Sequence, residues 1–184
     1  ESRLAGIQQI FSLFNNNLTD EQFQAVKQSF ESPVSILTGG PGTGKTTTLK
    51  VLIDVLELNR KKVALASPTG RAAKRLAEST GHPASTIHRL LGYIPGGGFN
   101  HCEENPLNVD MLVIDESSML DLALTHYLLS AVSPGTHVLF VGDVDQLPSV
   151  GAGNILKDLI ACQHIPVTRL TQIFRQASDS QIIT

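Results

Sequence analysis

From residue 34 onward the chain alternates short apolar runs with longer stretches at helical spacing. The runs cover residues 34–38, 62–67, 111–115, 137–141 and 167–170, and most are unbroken and rich in β-branched side chains. Continuous apolar character over so few positions suits strands buried on both faces of a parallel sheet. Between them, helical patterns near 45–58, 70–79, 119–132 and 152–162 are each long enough for a right-handed crossover. Ahead of this alternation, Leu4, Ile7, Ile10, Phe11 and Phe14 recur at helical spacing until Asn15, Asn16 and Asn17 break the pattern. Thr19 or Asp20 can then cap a helix running to about Phe30, with Phe23, Val26 and Phe30 on one face. The pattern predicts an α/β fold with a mostly parallel, doubly wound sheet, preceded by a helical lead-in at 1–17. Ligands of such sheets gather at the carboxyl ends of the strands, so the residues just after each run carry the interest. One irregular stretch, 92–108, holds Pro95, glycines at 96 to 98 and Pro106, and reads as a long loop or a hairpin insertion.

Composition narrows this without redirecting it. A chain of 184 residues and 19.8 kDa, 41% hydrophobic and 17% charged, can close a core without a disulfide framework. It contains no apolar run of bilayer-spanning length and no leader-like amino terminus, so the expectation is a soluble, cytoplasmic chain with no membrane partner. Cys102 and Cys162 have neither metal-ligand spacing nor the density of a secreted scaffold. The net charge of −3 hides a segregation: residues 60–77 carry Arg60, Lys61, Lys62, Arg71, Lys74 and Arg75 without an acid, whereas 90–156 hold eight carboxylates and no lysine or arginine. That division suits a molecule with one surface for a polyanion and another for a divalent cation, although two ordinary solvated faces would look the same.

The most specific chemistry lies at Gly39-Gly40-Pro41-Gly42-Thr43-Gly44-Lys45-Thr46, which follows the first run and opens a helix. It fits the pattern G-x-x-x-x-G-K-[ST] in the strand-to-helix context that pattern requires. Glycines allow the backbone of Gly40, Pro41, Gly42, Thr43 and Gly44 to wrap an anion, and loop and helix N–H groups, out to Thr47, face the phosphates. Lys45 would reach the β and γ phosphates of ATP, and the Thr46 hydroxyl would ligate Mg²⁺. The run at 111–114 ends in Asp115-Glu116-Ser117-Ser118, which puts two carboxylates at a strand end where that ion belongs. Asp115 suits the metal and Glu116 the attacking water. After the next run, Gln146 in Gly142-Asp143-Val144-Asp145-Gln146-Leu147-Pro148 offers an amide that can donate to a phosphate oxygen and accept from a water.

Together with Ser67-Pro68-Thr69-Gly70-Arg71-Ala72-Ala73, Ser85-Thr86-Ile87-His88 and Leu170-Thr171-Gln172-Ile173-Phe174-Arg175-Gln176, these segments resemble the ordered motifs of superfamily 1 DNA helicases. The nearest likeness is the RecD-like branch, which includes the α subunit of exodeoxyribonuclease V and free-standing RecD-like helicases. It covers about 18–184. The resemblance implies a RecA-like motor domain that couples ATP hydrolysis to movement on single-stranded DNA, 5′ to 3′ in most members. It implies that Gln22 reads the adenine ring, that Gln146 couples γ-phosphate state to strand contacts, and that Arg175 touches the γ-phosphate; from the residues alone, Arg175 reads rather as a helix-flanking surface arginine.

For the strand itself, Pro68, Thr69, Gly70 and Arg71 follow a run and start a helix, so backbone N–H groups, a hydroxyl and a cation could hold DNA phosphates. Ser85, Thr86 and His88 resemble a second strand-contact motif. Lys74 and Arg75 read as helix-surface charge or as part of that grip. With no tryptophan and only Tyr93 and Tyr127 as tyrosines, the grip is expected to come from the backbone and to depend on salt. The family pattern also requires a second RecA-like domain, which 184 residues cannot supply, so the chain is expected to be the first motor domain of a longer protein. Other exodeoxyribonuclease V subunits are partners the resemblance allows. In RecD-like proteins the insertion corresponding to 92–108 is a hairpin that acts as a strand-splitting pin, which Tyr93 to His101 could form here, although a mobile loop fits the stretch at least as well. A helicase module of a conjugative relaxase shares these motifs, and a P-loop kinase or other nucleotide-binding protein without a nucleic-acid partner shares the phosphate loop.

Overall fold

The computed structural model describes residues 2–7, 11, 18–145 and 155–172. Six strands form one parallel sheet: β1 (Val34–Gly39), β2 (Val63–Ser67), β3 (Ser85–Thr86), β6 (Met111–Ile114), β7 (His137–Gly142) and β8 (Val167–Leu170), in the order β3-β2-β6-β7-β1-β8. A separate antiparallel hairpin pairs β4 (Tyr93–Ile94) with β5 (Gly98–Phe99). The helices are α1 (Asp20–Glu31), α2 (Lys45–Leu58), α3 (Gly70–Thr80), α4 (Ile87–Leu91), α5 (Leu122–Ser130) and α6 (Ile155–Ala161).

Successive strand residues point to opposite faces, and here both faces are covered. Leu37, Leu65, Val113 and Leu139 face one cluster with Val26 and Phe30 of α1, Leu49, Leu52 and Leu56 of α2, and Leu76 of α3. Ile36, Ala66, Ile114 and Phe140 face the other, against Ile87, Leu91, Leu124, Leu128 and Leu156. This two-sided burial is the physical reason the strands read as unbroken apolar runs. Leu4, Ile7 and Phe11 join the first cluster, where the Phe11 ring stacks on Phe23 at 4.8 Å and meets Phe30 edge-on at 5.6 Å. The lead-in is thus packed into the same core as the strand-helix alternation; Ile10, Phe14 and the asparagines lie outside the described residues.

The expected element bounds hold within a residue or two for most of the sheet. The stretch at 119–132 departs from them. A 3-10 turn (Ser117–Met119) comes first, Leu120 is extended, and α5 begins only at Leu122, because the Asp121 Oδ1 accepts a bond from Leu124 N at 2.7 Å and starts a new helix. Within the segment at 92–108 the hairpin occupies only its first part, β4 to β5, and turns with isolated bridges at Cys102–Asn105 and Leu107–Val132 follow. Among the described residues no helix is long and apolar enough to cross a membrane.

Candidate active site

The phosphate loop joins the carboxyl end of β1 to α2. Gly44, at φ +87°, holds a left-handed turn that a side chain would strain, and it gives α2 no side-chain cap. Thr19, Thr69, Thr86 and Asp121, in contrast, each cap a helix with a side-chain oxygen. The first N–H groups of α2 therefore stay available beside a cavity of about 500 Å³ lined by residues 40–47. Lys45 Nζ folds back to donate to the carbonyls of Gly39 and, at 3.2 Å, Gly40. Thr43 Oγ1 donates to Gly40 O at 2.7 Å and braces the same turn, while Thr46 and Thr47 are exposed at the rim.

Strand order brings the acids to this loop. β7 lies between β1 and β6, with Thr38 opposite Gly142 and Ile114 opposite Phe140, so the strand ends carrying Gly40, Asp143 and Asp115 emerge on one edge. Asp115 N continues the ladder to Ala66 O at 2.9 Å, and its carboxylate accepts from Glu116 N at 2.9 Å. Burial pushes the Asp115 carboxyl up from its ordinary value, and the Glu116 charge adds to this; the bond from Glu116 N and the charges of Lys45 and Arg75 pull the other way. A largely buried carboxylate beside a hydroxyl-bearing loop is a hard-oxygen donor set, which fits Mg²⁺. Among the described residues no cluster of three or more His, Cys, Asp or Glu could hold a metal, so such an ion would rely on Thr46, Asp115, phosphate oxygens and water. Glu116 itself sits at φ +53°, ψ +42°, an uncommon conformation for a non-glycine residue that clusters at functional sites.

Gln22 is buried, and its carboxamide closes a capping box, accepting from Thr19 N at 3.0 Å while Nε2 donates to Gly44 O at 3.2 Å. It is therefore fastened to the end of the phosphate loop. Gln146 and Arg175 lie outside the described residues.

The strand-contact candidates form a second group on the same edge of the sheet. β2 and β3 pair in parallel, with Ser67 opposite Thr86, so 68–71 and 86–88 leave adjacent strand ends. Thr69 Oγ1 accepts from Ala72 N at 3.2 Å and Thr86 Oγ1 from Arg89 N at 3.1 Å, leaving each hydroxyl proton to donate. Ser85 Oγ donates to Thr86 O at 3.1 Å, and Gly70, Arg71 and His88 are exposed. Sequence reading left open whether Arg75 belongs to this grip; it is exposed on α3, and its charge is the smallest of the influences acting on the Asp115 carboxyl. Arg169 and Asp143 were also missed as neighbours. They line a cavity of about 110 Å³ at the ends of β1, β7 and β8.

Residues 22–152 match the AAA domain family. The chain is 49% identical over 166 residues, 90% of its length and 23% of the relative's, to the ATP-dependent RecD2 DNA helicase of Deinococcus radiodurans. It is 41% identical over 181 residues, 86% of this chain and 31% of the relative, to the RecBCD enzyme subunit RecD of Mycobacterium tuberculosis. Among solved structures it resembles the Pif1 helicase from Candida albicans, with a TM-score of 0.61 and 25% identity over 92% of this chain and 43% of that one. The chain thus spans about a quarter to a third of the length of these curated relatives. With its phosphate loop, its acid pair and its all-parallel RecA-like sheet, the chain belongs to the AAA domain family and is similar, over most of its own length, to part of the RecD-type helicases.

Proposed function

We propose that the chain is the ATP-hydrolysing first motor domain of a DNA helicase that moves 5′ to 3′ on single-stranded DNA, with a second RecA-like domain elsewhere in the full protein. One observation carries this reading: the phosphate loop, the Asp115-Glu116 pair and the two strand-contact segments all leave the carboxyl edge of one parallel sheet. Events at a γ-phosphate can then be felt at a bound strand through rigid strands rather than mobile loops.

In this reading Lys45 leaves the Gly39 and Gly40 carbonyls for the β and γ phosphates, and the α2 N-terminus supplies N–H donors to the same anion. Thr46 and Asp115 would hold Mg²⁺, which supplies charge neutralisation on the phosphate oxygens. Glu116 orients and deprotonates the attacking water. Gln22 reads the adenine ring as the family resemblance implies, its carboxamide exchanging its bonds to Thr19 N and Gly44 O for the base. Gln146 and Arg175 complete the γ-phosphate shell as the family resemblance implies. Arg71, Thr69, the N–H groups of 68–70, Ser85, Thr86 and His88 take the DNA backbone. The Deinococcus relative is named as a helicase in its own right and the Mycobacterium relative as a RecBCD subunit, so partnership with other exodeoxyribonuclease V subunits is a reading that co-purification tests.

The test is ATP hydrolysis by the protein that carries this chain, with and without single-stranded DNA. Stimulation by DNA, lost in Lys45→Ala, is expected. Hydrolysis indifferent to DNA would favour the nucleotide-binding alternative.

A further inference from the structure

Aromatic residues are few in this chain, 5% of it, and Phe11, Phe30 and Phe140 are fully buried in the core. Four other rings gather at the margin of the second core cluster, against which Phe99 packs, and His126 meets the Tyr127 ring at 5.6 Å. His88 of α4 meets Tyr93 edge-on at 5.6 Å and Phe99 at 5.9 Å; Tyr93 and Phe99 of the hairpin lie 5.5 Å apart; and Phe99 meets Tyr127 of α5 at 4.9 Å. Helix α4, the hairpin that follows it and the more distant α5 thus contribute rings to one concavity of about 280 Å³, lined also by Leu124 and Asp121. The tyrosines are left 53% and 48% exposed, far more than packing rings would be. His88 is also a member of the strand-contact segment, and the exposed Arg89 follows it.

We propose that this concavity is a stacking site for an unpaired nucleobase of the bound strand. The inference rests on the DNA reading above and goes beyond its backbone contacts. Size and chemistry favour a base over a protein side chain. The opening admits one flat ring system, its walls are π-faces and ring edges that accept any base, and it continues from residues 85–88. Asp121, whose Oδ1 accepts from Leu124 N, adds a carboxylate to the lining. The hairpin then does more than project from the domain, because β4 and β5 supply two of the four rings.

Fluorescence anisotropy on the protein that carries this chain tests it, with an oligothymidylate and an abasic sugar-phosphate oligomer of the same length as probes. Tyr127→Ala is expected to weaken oligothymidylate binding roughly tenfold, as loss of one stacked base does, and to leave the abasic oligomer unaffected. Tyr127→Phe should keep both affinities. Arg71→Ala should weaken both oligomers and flatten the salt dependence. Equal loss of both oligomers in Tyr127→Ala would overturn the proposal, because the effect would then run through the fold. So would unchanged affinity for both, and if Arg71→Ala still weakened them the DNA reading would survive alone. If the unsubstituted protein bound neither oligomer, the DNA reading itself would fall. A Tyr127→Ala change that disrupts a protein assembly while sparing DNA affinity would assign the rings to protein docking, against the proposal.

Discussion

Asp115 and Glu116 are adjacent in sequence and face opposite physical problems. Burial raises the proton affinity of Asp115, so the folded chain keeps that proton to higher pH than the unfolded chain does. Stability contributed by this site is therefore intact below the ordinary aspartate range and falls as pH rises through the elevated folded value. At neutral pH, Asp115→Asn is expected to raise the melting temperature of the nucleotide-free protein, by roughly 2–4 °C for each ~1 kcal/mol relieved. That gain should shrink as the pH is lowered toward the ordinary aspartate range, a trend a series of thermal melts would read. Glu116 stores its cost in the backbone. Its left-handed conformation is unfavourable by about 1–2 kcal/mol for an L-residue. Glu116→Gly should thus be neutral or stabilising in the same assay, whereas Glu116→Gln should keep nucleotide affinity and lower turnover by about 10²–10⁴-fold, the usual worth of a general base. A Glu116→Gln protein with unchanged steady-state ATP turnover would remove Glu116 from the reaction.

Between elements, one tight constraint lies where the end of β7 passes the turn after β6. A Cβ on Gly142 would lie 2.9 Å from Leu156 Cδ2 and 3.2 Å and 3.3 Å from the N atoms of Ser118 and Ser117. Gly142→Ala must push the turn that presents Glu116, and about 1–3 kcal/mol of destabilisation is expected, together with a lower kcat for ATP and little change in nucleotide affinity. At this scale much was legible in the sequence. The runs at 34–38, 62–67 and 111–115 announced buried parallel strands because helices cover both faces of the sheet, and the loop at 39–46 announced itself because only a strand-to-helix turn needs that glycine spacing. The two-residue strand β3 and the one-turn helix α4 were not legible as elements. They are too short for periodicity and exist because β2 offers a free edge and Thr86 a cap. The meeting of His88, Phe99 and Tyr127 depends on packing between elements that no local pattern encodes.

Across the whole molecule, the proposed function puts two polyanion sites on one sheet edge about three strands apart, the nucleotide between β1 and β6 and the DNA strand beyond β2 and β3. The segregation of charge along the chain is its shadow. The basic stretch at 60–77 builds β2 and α3, while the acidic stretch contributes the ends of β6 and β7. Isolated from a second motor domain, the chain is expected to bind Mg²⁺ and ATP weakly and not to unwind duplex DNA, and robust strand separation by these 184 residues alone would show that no partner domain is required. What matters most is whether nucleotide and metal meet at Lys45 and Asp115. Calorimetric titration of a slowly hydrolysed ATP analogue, with and without Mg²⁺, into the unsubstituted protein and Asp115→Asn addresses this directly. Withdrawing Mg²⁺ is expected to weaken binding to the unsubstituted protein while weakening Asp115→Asn much less, the non-additivity of two changes at one interaction. Equal losses in the two proteins would contradict the account.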